Sequence, residues 1–97
     1  MKPIQLTVPE VLRSGAITFE ERNALYGDNY KRFGAVMREI FPHGLPEMET
    51  AEDWNRFGVW FMVLNKVIRY AQQMPAGHLD SAHDAMVYAA MLEELTK

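Results

Sequence analysis

The stretch Asp80-Ser81-Ala82-His83-Asp84-Ala85-Met86-Val87-Tyr88-Ala89-Ala90-Met91-Leu92 has the pattern of one amphipathic helix. Asp80 or Ser81 can act as its N-cap, because a short polar side chain accepts hydrogen bonds from the first turn. Small and apolar residues recur three and four positions apart and form a stripe, made of Ala82, Ala85, Met86, Ala89 and Leu92. A neighbouring face carries Asp80, His83, Asp84 and Tyr88. Three titratable groups beside a small-residue stripe make an unusual helix start, and a functional site is expected here.

The acidic start of this helix admits a functional and a structural interpretation. Asp80 and Asp84 are one helical turn apart and can share a divalent cation, Mg²⁺ or Mn²⁺, as metal ligands. Alternatively, His83 can be tuned by its acidic neighbours for general acid–base catalysis. In the structural interpretation Asp80 caps the helix, Asp84 accepts from a basic residue of the preceding helix, and His83 is solvated. The spacing alone favours the structural interpretation.

The segment 51–73 is predicted to be the longest helix and the centre of the fold. Thr50 can cap its first turn, where acidic residues follow. Gly58, inside the helix, suggests the close approach of another helix, since glycine is costly there without such a reason. Apolar residues repeat at spacings of three and four and predict a broad buried face, made of Trp54, Phe57, Phe61, Leu64, Ile68 and Ala71.

Lys66 and Arg69 share one face near the end of this long helix. The short connection to the final helix predicts antiparallel packing, which brings these basic groups opposite Asp80 and Asp84. One interpretation is a buried salt bridge that aligns the two helices. The other is a mixed pocket for a phosphate-bearing ligand, with the Arg69 guanidinium as a forked anion grip. The residues themselves leave both open.

The first half of the chain predicts shorter elements. Gly15 is expected to end a first helix, and Thr18 with Glu21 forms a capping-box pattern for a second. Asp28 can cap the next helix, after a turn at Gly27. Residues 1–6 are expected to be extended. The predicted helices cover residues 8–14, 18–25, 29–41, 51–73 and 80–95, with the longest loop over residues 42–49.

Composition limits the class of protein. The 97 residues are 48% hydrophobic, contain no cysteine and have a net charge of −3. They predict a single domain over 1–97, an all-α compact bundle of about four to five helices around the long central helix. The negative charge disfavours binding to bulk nucleic acid. No apolar run approaches the length of about 20 residues that a membrane span needs, and the missing cysteines are compatible with the cytoplasm.

Three blocks of sequence resemble a known family. They are Glu21-Arg22 with Tyr26-Gly27-Asp28-Asn29-Tyr30 and Phe33; Met62-Val63-Leu64 with Lys66 and Arg69; and Asp80-Ser81 with Asp84 and Tyr88-Ala89-Ala90. Their order is similar to that in small helical phage and prophage proteins of the nucleotide-modification-associated domain type and their uncharacterised relatives. The resemblance covers about residues 20–93. His83 departs from it, because an apolar residue is usual at that place.

The resemblance implies a phage-type protein, located in the host cell cytoplasm, that binds a nucleotide-like small molecule. The resemblance also implies that the polar groups lie together in one pocket. The residues expected in this pocket are Tyr26, Asp28, Lys66, Arg69, Asp80, Asp84 and Tyr88. Such a protein could sequester a nucleotide signal without cleaving it, and the sequence does not decide whether it is catalytic.

Two further functions remain open. One is a metal-dependent nucleotide hydrolase of the all-α pyrophosphohydrolase kind, although Ala24 stands where that class has an acid. The other is a protein-interaction module in which the polar cluster is purely structural. A homo-oligomer is compatible with the high apolar content, but the sequence sets no number of subunits.

Overall fold

Four α-helices make up the regular structure in the computed structural model, which describes residues 5–97. They are α1 (Val8–Tyr26), α2 (Asn29–Ile40), α3 (Ala51–Ala71) and α4 (Leu79–Leu95), and residues 5–97 contain no strand. The predicted all-α fold with a long central helix is confirmed, since α3 spans 21 residues. The predicted loop over residues 42–49 is confirmed too. The extended structure expected for residues 1–6 lies mainly outside the described residues.

α3 and α4 form the most extensively packed pair of helices. Lys66 Nζ lies 3.4 Å from Asp84 Oδ2 at one end of the pair, and Arg56 Nη1 donates to the Leu95 carbonyl at 3.2 Å at the other. These two contacts confirm the predicted antiparallel arrangement. The connection is tight because Gly77 has φ 78° and a Cβ there would lie 2.5 Å from the Tyr70 ring.

α2 packs against α3 through aromatic side chains. The ring centroids of Phe33 and Phe61 are 4.9 Å apart, and Phe41 lies 5.4 Å from Trp60 in an edge-on arrangement. Edge-on and tilted contacts of this kind stabilise a packed pair beyond the area they bury. α3 is therefore contacted from two sides, by α2 and by α4, as a central helix should be.

The start of α3 is the best-formed cap in residues 5–97. Asp53 N donates to Thr50 Oγ1 at 3.1 Å, and Thr50 N donates to Asp53 Oδ2 at 3.1 Å. Together they complete a capping box, which confirms the N-cap predicted at Thr50. The backbone N–H groups of Thr50 and Glu49 hold the pKa of Asp53 below its usual value, because they stabilise the carboxylate form.

α1 differs from the prediction, because it is one continuous helix where two were expected. Gly15 lies inside it, so the predicted break at that residue is wrong. Glycine in a helix interior costs only about 1 kcal/mol relative to alanine, and a single glycine need not end a helix. Thr18 does not cap a second helix; its hydroxyl donates back to the Ser14 carbonyl at 3.1 Å.

α4 differs in its cap and in its orientation. Its N-cap residue is His78, so the cap predicted at Asp80 or Ser81 is wrong. Ser81 is 2% exposed, and its Oγ lies 2.7 Å from His78 Nδ1. Three residues of the predicted apolar stripe, Ala82, Met86 and Ala89, are exposed, while Ala85 and Leu92 are partly buried.

Large apolar side chains remain accessible throughout residues 5–97, and none of them is fully buried. The Cα radius of gyration is 17.2 Å, whereas a globular chain of this length has about 13 Å. Part of the chain therefore extends away from the packed helices. No helix within residues 5–97 is long and apolar enough to cross a membrane.

Candidate functional site

A cleft of about 570 Å³ opens between α3 and the turn that joins α1 to α2. Aromatic rings form most of its walls, and amide and guanidinium groups supply its polar edge. It lies where three helices meet, a common place for a small-molecule site in a helical protein. The residues that line it are Phe19, Arg22, Asn23, Tyr26, Gly27, Asn29, Tyr30, Phe33, Phe61, Asn65 and Arg69.

The α1–α2 turn is held in place from both sides. Gly27 ends α1 with φ 66°, a conformation that side chains other than glycine rarely adopt. The Asn23 amide, with its nitrogen toward the turn, donates to the Gly27 carbonyl at 2.8 Å and to Asp28 Oδ1 at 2.9 Å. Gln73, two residues after the end of α3, donates from Nε2 to the Leu25 carbonyl. The turn is thereby tied to the C-terminal end of α3.

Arg69 forms the polar corner of the cleft. Its guanidinium carbon lies 5.0 Å from the centroid of the Tyr26 ring, within the range of a cation–π interaction. Tyr26 in turn packs edge-on against His78 at 5.9 Å. No carboxylate of residues 5–97 lies within salt-bridge distance of Arg69. The guanidinium is thus positioned by an aromatic face and keeps its donors for another acceptor.

The amide groups of the cleft add further hydrogen-bonding capacity. Asn29 and Asn65 both line it, from α2 and α3. Asn29 Oδ1 is buried and has no hydrogen-bond partner within residues 5–97. Buried polar atoms without a partner are uncommon, since each carries a desolvation cost. Arg22, exposed on α1, adds a second guanidinium to the same rim.

Only two of the seven predicted site residues, Tyr26 and Arg69, line the cleft. Asp28 lies beside it, but its carboxylate is 3.2 Å from Lys31 Nζ, and this contact raises the pKa of Lys31. The predicted single pocket is therefore divided in two. The remaining four residues belong to α4 and the α3 face against it: Lys66, Asp80, Asp84 and Tyr88.

At the α3–α4 contact the geometry agrees with two parts of the structural interpretation, since Asp84 pairs with a basic residue of α3 and His83 is exposed, but Asp80 does not cap the helix. Lys66 is 14% exposed and pairs with Asp84, whose side chain is 46% exposed. Asp80 is exposed, as is His83, and Tyr88 is partly buried. Residues 5–97 contain no cluster of three or more His, Cys, Asp or Glu side chains that could hold a metal ion. The metal role of Asp80 and Asp84 gains no support from this placement and stays a prediction.

Several cleft residues were not predicted as site residues. Phe61 fits the apolar helical stripe of α3, and periodicity cannot distinguish a core ring from a cleft wall. Asn23 and Asn65 carry no signal, since isolated asparagines are common on helices. Arg22, Asn29, Tyr30 and Phe33 belong to the blocks that resemble the phage family, and that signal could have found them.

Comparisons with protein-family models, curated proteins and solved structures gave no match to this chain.

Proposed function

We propose that this protein binds a nucleotide-like ligand in the cleft between α3 and the α1–α2 turn. The observation that carries the proposal is the Arg69 guanidinium, stacked on Tyr26 at 5.0 Å and without a carboxylate partner in residues 5–97. A forked cation held in place beside aromatic rings suits a ligand that combines an anion with a planar ring.

The aromatic wall supplies the surface for a base. Tyr30 packs edge-on against Phe19 at 5.9 Å, and Phe33 with Phe61 continues the wall from α2 to α3. Base–aromatic stacking contributes about 1–3 kcal/mol per base and tolerates any base, because every base presents a π face. The wall therefore supports affinity for a nucleobase more than discrimination among bases.

The polar rim supplies the contacts to phosphate and sugar. Arg69 and Arg22 lie on opposite helices of the cleft and can approach a phosphate from two sides. Asn29 and Asn65 can donate to or accept from a ribose or a base edge. The guanidinium and amide groups of the rim suit binding by hydrogen bonds, so the proposed activity is binding or sequestration.

The test is isothermal titration calorimetry with nucleoside monophosphates and the corresponding nucleosides, with and without Mg²⁺. We expect binding that needs the phosphate and that weakens about 10–100-fold in Arg69→Ala, as for a lost charged hydrogen bond. Arg69→Lys should recover only part of the affinity, since a lysine lacks the fork. Arg32→Ala, which removes an exposed arginine of α2 outside the cleft, is the matched control.

Three outcomes would contradict the proposal. If no nucleotide binds, the proposal is excluded. If Arg32→Ala and Arg69→Ala lose equal nucleotide affinity, the binding is a general charge attraction and not a property of the cleft. Chromatography would detect any conversion of the nucleotide. Conversion that is lost in Asp84→Ala would favour the metal-dependent hydrolase and place the chemistry at α4.

A further inference from the structure

The first eleven residues of α1, 8–18, protrude from the molecule and are called the α1 arm here. All of them are exposed, and the next residue, Phe19, packs edge-on against Tyr30 of α2. An isolated helix of this length is marginal in water and needs a surface to pack on. Within residues 5–97 no such surface meets the arm.

The arm presents an apolar stripe on one face. Val8 is 72% exposed and Leu12 is 68% exposed. Together with Val11, Gly15 and Phe19 they follow helical spacings of three and four, so they share one face. The charged residues Glu10 and Arg13 lie on the opposite face. Such a stripe is typical of a helix that packs against another helix.

Gly15 lies in the middle of this stripe. A Cβ at this position would meet no atom within 4 Å, so nothing within the described chain requires a glycine. Glycine destabilises a helix interior, but it also permits the close approach of another backbone. Gly58 of α3 has the same open surroundings and lies one turn after Trp54, which is 53% exposed. No other helix of residues 5–97 thus makes the close approach predicted at Gly58.

The exposed area supports a partner of considerable size. A folded monomer of this mass exposes about 5,700 Å², whereas this chain exposes 7947 Å². The excess is about 2,200 Å² per chain, or about 4,400 Å² for two chains, which lies within the roughly 2,000–5,000 Å² that obligate homodimers bury over both partners. Residues 5–97 contain no fully buried apolar side chain, and a partner surface of this size would supply apolar burial.

We propose that two copies of this chain pair by exchanging α1 arms, each arm packing on the strip around Trp54 and Gly58 of the other copy. A second copy fits because every chain carries both a protruding arm and an open strip. A two-fold axis relates the two copies, so the contact between arm and strip forms two times in the dimer. The two exposed helical glycines allow the backbones to approach closely at the contact.

The test is the mass in solution, measured by light scattering and analytical ultracentrifugation without ligand. We expect twice the chain mass of 11.2 kDa. Leu12→Glu and Trp54→Lys should each shift the equilibrium to monomer by at least tenfold in dissociation constant. Ile17→Glu is the matched control, because Ile17 is 58% exposed on the opposite face of the same arm and should leave the dimer intact.

Gly15→Ala keeps the proposal testable if the charged variants unfold. On a solvated arm this change removes a poor helix former and should raise the Tm. At a close helix contact it should lower the Tm and weaken the dimer. A monomeric wild type, a raised Tm in Gly15→Ala, or a dimer that survives Leu12→Glu would each overturn the proposal. A stable complex with a different protein in place of the dimer would do so as well.

Discussion

At the scale of single residues, the α3–α4 turn depends on the absence of a side chain at Gly77. Alanine is disfavoured there on two separate grounds. The φ of Gly77 is 78°, and a Cβ would lie 2.5 Å from the Tyr70 ring. We expect Gly77→Ala to lower the free energy of unfolding by about 1–3 kcal/mol. Urea unfolding of the variant measures this change.

Gly34→Ala is the control for that measurement. Gly34 lies inside α2, its Cβ position is open, and it has no positive φ. Alanine there should be neutral or should stabilise by up to about 1 kcal/mol. Equal unfolding curves for Gly77→Ala and the wild type would show that the Tyr70 contact does not constrain the turn.

The Lys66–Asp84 pair should respond asymmetrically to mutation. Lys66 is 14% exposed and Asp84 is 46% exposed, so the lysine loses more of its hydration on folding. Asp84→Asn leaves a largely buried ammonium group without its partner and should cost about 1–2 kcal/mol, discounted for the solvent that reaches the aspartate. Lys66→Met leaves only a half-exposed carboxylate and keeps an apolar stem, so it should cost less.

Chemical denaturation of both single variants and the double variant measures the coupling between them. A larger loss in Lys66→Met than in Asp84→Asn would contradict the asymmetry. Because both residues lie outside the cleft, nucleotide affinity should stay unchanged in either variant. This separates the α4 cluster from the proposed binding site.

At the scale of elements, the cap of α3 should make stability depend on acid pH. The capping box lowers the pKa of Asp53 in the folded state below its ordinary value of 3.8. The contribution of the Asp53 carboxylate to the free energy of unfolding is therefore complete above about pH 3.8. It is lost as the pH falls through the lower pKa of the folded state. Urea unfolding between neutral pH and pH 3 should show this loss, and Asp53→Asn should reduce it.

Thr50→Ala tests the other half of the same box. It removes the oxygen that accepts from Asp53 N and should cost about 1 kcal/mol at neutral pH. Thr18→Ala is the control, since Thr18 lies within α1 and its hydroxyl only donates back to Ser14 O. Similar losses in both variants would mean that the cap has no special effect on α3.

At the scale of the whole molecule, amide hydrogen exchange should distinguish the arm from the packed helices. If arms exchange between copies, the amides of residues 8–18 should be protected at high protein concentration and unprotected on dilution. Amides of α3 around Lys66 should change less, because α4 covers them within one chain. Arm protection that does not vary with concentration would contradict this expectation.

Local patterns determined most of the architecture. Thr50 and Asp53, three residues apart, predict the start of a helix. The aromatic spacing of α3 predicts a central helix. Both patterns are local in the chain and can therefore be recognised from the sequence alone. The continuity of α1 through Gly15 was missed for the same reason. A glycine is read locally as a stop, while its cost of about 1 kcal/mol is small enough for the rest of a helix to outweigh.

The sequence by itself thus determined the helical class, the central helix and the antiparallel α3–α4 pair, and two of the site residues it predicts, Tyr26 and Arg69, line the cleft. Only the tertiary structure decided that Lys66 turns toward α4 while Arg69, three residues on, turns toward Tyr26. It also decided that Ser81 is buried while Met86 is exposed. The physical reason is that helical spacing defines which residues share a face, whereas the packing of all helices together decides which face is covered.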